Sequence, residues 1–367
     1  MSGIEAFSLG DMALIRAPRS GAVAMVDAST RQILQGLAAG GRVAALARQH
    51  AAALGGEAAA TARIAELRRA WRTLDRPWRH LPPRPVPAAT AAPALDVSCR
   101  AGAVPVHLRV WPRRLARIVA AVTAPAQMAA EGSGAGPTLE VRWVGRTYQL
   151  LGDGAHLLTT PDLMIARSET LRWLILASHP GRHWLAVLHA AAVAGPRGAA
   201  LLCGHSGAGK STLTGQLVAS GLPLLTDDYA PVEMGTGLLW PVPFGLSVKE
   251  GSWPILGPLF PALAGAPPIR TRHRRQRYLT PPAFAAGPLP AACLVFPLYQ
   301  PGAALELTPL EPAETLQLLT RSGGWYENSP DRLAALVGWI GALPAYALAY
   351  GDGAQAVAAV RQLLSHP

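Results

Sequence analysis

The eight residues Gly204-His205-Ser206-Gly207-Ala208-Gly209-Lys210-Ser211 satisfy G-x-x-x-x-G-K-[ST] at every fixed position. The flanking residues constrain the fold more than the motif does. Ala199–Cys203 is an apolar run of strand length, and Thr212, Leu213, Leu217 and Val218 follow at helical spacing up to Gly221. Strand, glycine-rich turn and helix in that order predict an α/β architecture with the turn at a strand's carboxyl end. Glycines let backbone N–H groups curl around phosphate oxygens, and the helix start adds its positive dipole end. Gly204 to Ser211 and the adjoining Thr212 are therefore candidate nucleotide-binding positions. Lys210 would reach the β- and γ-phosphates of a nucleotide, and the Ser211 hydroxyl would ligate Mg²⁺. The plain alternative is a glycine-rich turn that binds nothing.

An acidic pair follows closely. Leu224-Leu225-Thr226-Asp227-Asp228 begins one short helix and a Gly221 turn after Lys210. The expectation is a strand returning beside and parallel to the motif strand, with the pair at its carboxyl end next to the turn. Asp227 and Asp228 could then divide the labour, one completing Mg²⁺ coordination and the other accepting a hydroxyl proton. The residue types do not fix which Asp does which; Asp227 is favoured as the base, and Asp228 as the metal ligand with Ser211. A solvated turn is the competing reading of such a pair. His189 opens the run Ala190–Ala194, joined to the motif strand through Gly195-Pro196-Arg197-Gly198. A hairpin there brings His189 level with the phosphate site, to assist proton transfer or hold an Asp; a satisfied core histidine is the alternative.

Composition narrows the class. The chain has 367 residues, 50% of them apolar and 15% charged, which excludes a wholly disordered chain. Three cysteines, Cys99, Cys203 and Cys293, are too few and too scattered for a disulfide framework or zinc site and suit a reducing compartment. No uninterrupted apolar stretch is long enough to span a membrane. The first twenty residues carry Glu5 and Asp11 without a secretory pattern, so the cytoplasm is expected. The net charge is +11, yet Lys210 and Lys249 are the only lysines among 33 basic residues. Such arginine use reads as compositional drift rather than a nucleic-acid surface. A residual lysine marks a position where a compact ammonium is wanted instead of a planar fork.

Along the chain, residues 1–75 read as a small α+β unit. A hairpin over Ala13–Val26 precedes Asp27-Ala28-Ser29-Thr30 as helix cap and then helices, the last over Glu57–Trp71, compatible with a winged helix-turn-helix. Residues 76–94 are a proline-rich linker. Residues 95–180 form an α+β intermediate region with strands at Val104–Val110, Leu139–Val144 and Thr147–Leu151 and helices at Arg113–Val122 and Ser168–Ala177. Residues 181–367 carry the chemistry.

That last segment resembles the HPr kinase/phosphorylase family, and more closely its HPr-kinase-related bacterial kinases. The likeness rests on His189 before a hairpin, the Gly204–Ser211 loop and the Leu224–Asp228 strand. Gly245-Leu246-Ser247-Val248-Lys249-Glu250-Gly251-Ser252 is similar to the S-L-K-x-x-S segment of those kinases, and Arg277-Tyr278-Leu279 and Leu294-Val295-Phe296-Pro297 also match. The resemblance implies a P-loop kinase core like that of PEP carboxykinase, and ATP- and Mg²⁺-dependent phosphorylation of a protein or peptide serine. It assigns phosphate contact to Lys210, base and metal roles to Asp227 and Asp228, and a second ammonium near the γ-phosphate to Lys249. Because the family forms hexamers, it also implies a homo-oligomer. The glycine-rich signature of phosphorolysis is missing, so phosphorylase activity is not carried over, nor HPr itself as substrate.

The N-terminal unit resembles the pyrroloquinoline quinone chaperone (PqqD) family over Ala13–Val26 and Asp27–Leu37. That implies recognition of a precursor's leader peptide as an added strand. Arg270, Arg272, His273, Arg274, Arg275 and Arg277 form a basic run, read as a solvated loop or as a clamp on phosphates or an acidic peptide. A nucleotide-binding regulator without phosphoryl transfer and a small-molecule kinase are the competing functional readings.

Overall fold

The computed structural model describes residues 4–76, 81–83, 85–86, 91–129, 136–205, 207–270, 275–326 and 329–365. It is a mixed α/β structure with several sheets. Ser206, Arg272, His273, Arg274 and much of the proline-rich linker lie outside the described residues. The chain divides into two compact units, Met1–Arg79 with Leu310–Thr320 and Tyr326–Ala342, and His80–Pro309 with Arg321–Trp325 and Leu343–Pro367.

In the first unit, β1 (Glu5–Leu9), β2 (Met12–Arg16) and β3 (Val23–Asp27) form an antiparallel sheet in that order. The β2–β3 hairpin is the one expected from sequence. The strand β1, not anticipated, pairs with β2 across a two-residue turn whose Gly10 takes φ +58°. Asp27 caps α1 (Ala28–Ala38), its carboxylate accepting from Thr30 N at 2.6 Å. Helices α2 (Val43–His50) and α3 (Glu57–Leu74) pack with these elements around Ile15, Ile33, Leu34, Ile64 and Trp71.

The second unit starts with β4 (Leu95–Cys99), β5 (Val106–Val110), α4 (Arg113–Thr123), β6 (Thr138–Val144), β7 (Thr147–Gly152), β8 (Ala155–Thr160) and α5 (Leu163–Ala177). The five strands lie in sequence order, with only β5 and β6 parallel. Their apolar face and both helices bury Leu108, Ile118, Leu139, Leu171 and Leu174 together with Val242, Phe244 and Ile269. The stretch 95–180 thus shares a core, and one compact unit, with residues from beyond 181.

Next come β9 (Trp184–Leu188), β10 (Ala190–Gly195), β11 (Gly198–Cys203), α6 (Lys210–Ala219), β12 (Leu224–Thr226), β13 (Ala230–Glu233) and β14 (Leu246–Lys249). After these the chain forms α7 (Trp253–Leu256), α8 (Ala262–Gly265), β15 (Ile269–Arg270), β16 (Arg275–Leu279), β17 (Ala291–Tyr299) and β18 (Glu306–Pro309). The remaining elements are α9 (Pro312–Ser322), β19 (Gly324–Tyr326), α10 (Pro330–Gly341), β20 (Ala345–Tyr350) and α11 (Gly353–Ser365). The main sheet has the order β12-β10-β11-β17-β20-β18. One expectation needs correcting here: the acidic strand β12 does not lie directly beside the motif strand β11. The β10–β11 hairpin takes one edge of β11, from Ala190↔Cys203 to Gly195↔Gly198, and parallel β17 takes the other. Strand β12 therefore pairs antiparallel with β10 and runs in the same direction as β11, one strand away. Among the described residues, no helix is long and apolar enough to cross a membrane.

Candidate active site

The glycine-rich turn joins a strand buried along its whole length to a ten-residue helix. Its shape depends on glycine. Gly204, Gly207 and Gly209 take φ values of +153°, +100° and +96°, a region side-chain-bearing residues avoid. A Cβ on Gly209 would also come within 2.7 Å of the Tyr350 hydroxyl and 3.0 Å of Tyr299 Cβ. Tyr299 N donates to Ala208 O at 3.1 Å, tying the turn to the end of β17. The first N–H groups of α6 have no partner in their own helix, and the turn lines a cleft of about 440 Å³ together with Lys210, Ser211 and Lys249. His205 and Thr212 line the same cleft. The Thr212 hydroxyl, however, lies 2.6 Å from the Ser252 hydroxyl, so it ties α6 to the 245–252 segment.

Asp228 is the centre of a charged cluster beside this turn. Lys210 Nζ lies 3.2 Å from its Oδ1 and His189 Nδ1 lies 3.9 Å from the same oxygen. Arg167 Nη2 lies 3.7 Å from its Oδ2. Burial would raise the Asp228 pKa, but Lys210, then His189 and Arg167, outweigh it and hold the carboxyl well below its ordinary range. The residue sits at φ +65°, in the left-handed region open to Asp and Asn but strained for most residues. The β10–β11 register brings His189 here, because Ala190 pairs with Cys203 at the start of the turn. Burial lowers the His189 pKa from its ordinary value in spite of the opposing pull of Asp228.

Asp227 has a different environment. It is 2% exposed and lines neither this cleft nor a second one beside Asp228. Its Oδ2 accepts from Ser247 N at 2.7 Å, while its Oδ1 is buried with no hydrogen-bond partner. Burial first, and the neighbouring Asp228 second, push its pKa up to about 6. A divalent cation reaching that oxygen would satisfy it and restore its charge, so the donor chemistry of Asp227 suits Mg²⁺. Of the two carboxylates, Asp227 is the one with a buried oxygen left without a partner.

A stability consequence follows from Asp227. Its folded pKa of about 6 exceeds the ordinary 3.8, so ionising it costs the fold above pH 6 and nothing below the ordinary value. Asp227→Asn removes that cost. Metal-free variant protein should melt above wild type at pH 7.5, and the gain should fade as pH falls from about 6 to about 4. A melting series showing no gain at pH 7.5, or a gain that grows on acidification, would contradict this account.

Alternation along β14 explains why the 245–252 segment serves the site. Leu246 and Val248 enter the core below α6, whereas Ser247 meets Asp227 and Lys249 lines the cleft. The ends of the basic run brace the same region. Arg275 pairs with Glu250 at 2.7 Å, and Arg277 donates to Leu263 O at 2.9 Å with its guanidinium 4.2 Å from the Trp253 ring centre.

Arg167, on α5, is the site residue that sequence reasoning missed. It is 8% exposed, donates to the Tyr278 hydroxyl at 3.4 Å and lies 6.0 Å over the Tyr229 ring. A signal existed: Arg167 occupies the same helical stripe as buried Leu171 and Leu174, where a cation needs a partner. Among the described residues, no cluster of three or more His, Cys, Asp or Glu side chains could hold a metal by itself. In comparisons with known proteins, the chain matches no family model, and no curated protein is similar to it in sequence.

Proposed function

We propose that the chain is an ATP- and Mg²⁺-dependent serine kinase with a P-loop core, acting on a protein or peptide. The observation that carries this reading is the contact of Lys210 with Asp228 at the mouth of a glycine-rich turn that opens a helix. The turn and the α6 amides bind the phosphates, and Lys210 stabilises charge on the γ-phosphoryl group as it transfers. Ser211 and Asp227 would hold Mg²⁺, which would neutralise phosphate charge there. Asp228 orients the acceptor hydroxyl and takes its proton. Its depressed pKa is compatible with that task, because a loose transition state develops little bonding to the attacking oxygen and needs positioning more than base strength. Lys249 supplies a second positive charge on the cleft wall.

The N-terminal unit, in this reading, recruits the substrate. Its sheet leaves β3 without an outer strand partner among the described residues, an edge to which an extended peptide can add. Incubation with γ-labelled ATP and serine-containing peptides tests the proposal. Label should move to a peptide in the presence of Mg²⁺ and should not move with EDTA. Tight ATP binding with no transfer to any acceptor would favour a nucleotide-switched regulator, and label on a metabolite alone would favour a small-molecule kinase.

A further inference from the structure

Beside the nucleotide cleft lies a second cleft of about 460 Å³, and His189 lines both. Asp228 lines only the second, with Arg167, Met164, Val187 and Tyr229. Its carboxylate spans the divide, with Oδ1 at 3.2 Å from Lys210 and Oδ2 at 3.7 Å from Arg167. The rest of the wall is Ser168, Glu169 and Arg172 on α5 together with Gly323 and Gly324. Gly323 O accepts from His189 N at 3.2 Å, and a Cβ on Gly324 would lie 3.0 Å from Val187 O. Glycine at 324 lets the main chain of β9 lie directly against β19 on this side of the cleft. At the start of α5, Met164 is 41% exposed, an apolar side chain at the opening.

Resting on the kinase reading above, we infer that this second cleft is the acceptor site and that it takes a serine in an extended peptide with an apolar residue beside it. The serine hydroxyl would donate to Asp228 from the Arg167 side while the γ-phosphate lies on the Lys210 side. On transfer the serine O–H bond breaks and its proton passes to the Asp228 carboxylate. The new O–P bond forms as the bridging P–O bond of ATP breaks, and ADP leaves with that electron pair. Arg167 is a positioning residue, which keeps Asp228 ionised and aimed at the hydroxyl. The apolar flank of the serine packs on Met164.

The test uses the full chain, γ-labelled ATP and a degenerate library of peptides with one fixed serine, followed by kinetics on the best-labelled peptide. Met164→Trp fills the opening; Met164→Leu keeps it apolar and open. With Met164→Trp the KM for peptide should rise about tenfold or more while the KM for ATP stays within about twofold, and Met164→Leu should stay near wild type in both. The library should also select an apolar residue next to the serine. An unchanged peptide KM, or equal rises for peptide and ATP, overturns the acceptor cleft and leaves the kinase reading standing. Wild-type protein that binds ATP and labels no peptide overturns both.

Discussion

Lys210→Ala is expected to lower phosphoryl transfer by about a thousandfold or more and to weaken ATP binding severely. Lys210 is 6% exposed, and its ammonium is held 3.2 Å from Asp228 Oδ1. Burial works against its charge, but Asp228 and then Asp227 outweigh burial and raise its pKa, so it is protonated at every working pH. Removing it leaves two adjacent acids, with Arg167 and His189 the other basic side chains near Asp228. Breaking a buried charge pair costs about 3–5 kcal/mol, so lost activity must be separated from lost fold. Lys210→Arg makes the separation. It keeps the charge but replaces a compact ammonium with a planar fork beside a turn shaped by Gly209. Thermal melting near wild type with transfer still reduced about tenfold or more is the expected result. Fluorescent-ATP titration and peptide labelling on both variants, with melting curves beside them, provide the measurement. Near-normal transfer in Lys210→Ala would remove the basis of the whole assignment.

Local signals in the chain were dense where hydrophobic period, glycine placement and helix caps act over a few residues. The motif strand, the turn and α6 follow from Ala199–Val218, and the His189 hairpin follows from Gly195–Gly198. The closeness of Asp228 to Lys210 was legible too, because a ten-residue helix and a Gly221 turn leave little freedom. Strand order was not legible in the same way. Nothing in the period of Leu224–Thr226 distinguishes pairing with β11 from pairing with β10; competition for the edges of β11 decided it. The short strands β4 and β8 escaped as well, although each pairs with its neighbour in the chain, β5 and β7. Arg167 required tertiary knowledge, because it comes from a region ahead of the motif and its partners, Asp228 and Tyr278, lie well downstream. The different surroundings of the two aspartates were hidden as well. Neighbours in sequence, they diverge because Asp228 turns through φ +65° toward the second cleft while Asp227 stays behind Ser247.

Asp228→Asn tests that divergence, and its expected outcome is a split between binding and chemistry. Asparagine tolerates the left-handed backbone well, so the local fold should survive. Its amide oxygen can still accept from Lys210, but the negative charge that competes with phosphate for that ammonium is gone. ATP should therefore bind at least as tightly as in wild type, while kcat for peptide labelling falls by about a hundredfold to a thousandfold for want of a proton acceptor. Asp227→Asn should differ in kind, with a greater Mg²⁺ requirement because it loses the anionic oxygen that fits the cation. The pH profiles should separate the two residues further. Because Asp228 is held well below its ordinary range, wild-type kcat at saturating Mg²⁺ should not fall through its titration at mildly acid pH. The Mg²⁺ requirement, by contrast, should rise as pH drops through about 6, where Asp227 takes up a proton. Loss of transfer in Asp227→Asn at every Mg²⁺ concentration, with transfer kept in Asp228→Asn, would return the proton-accepting role to Asp227 and close the acceptor route through the second cleft.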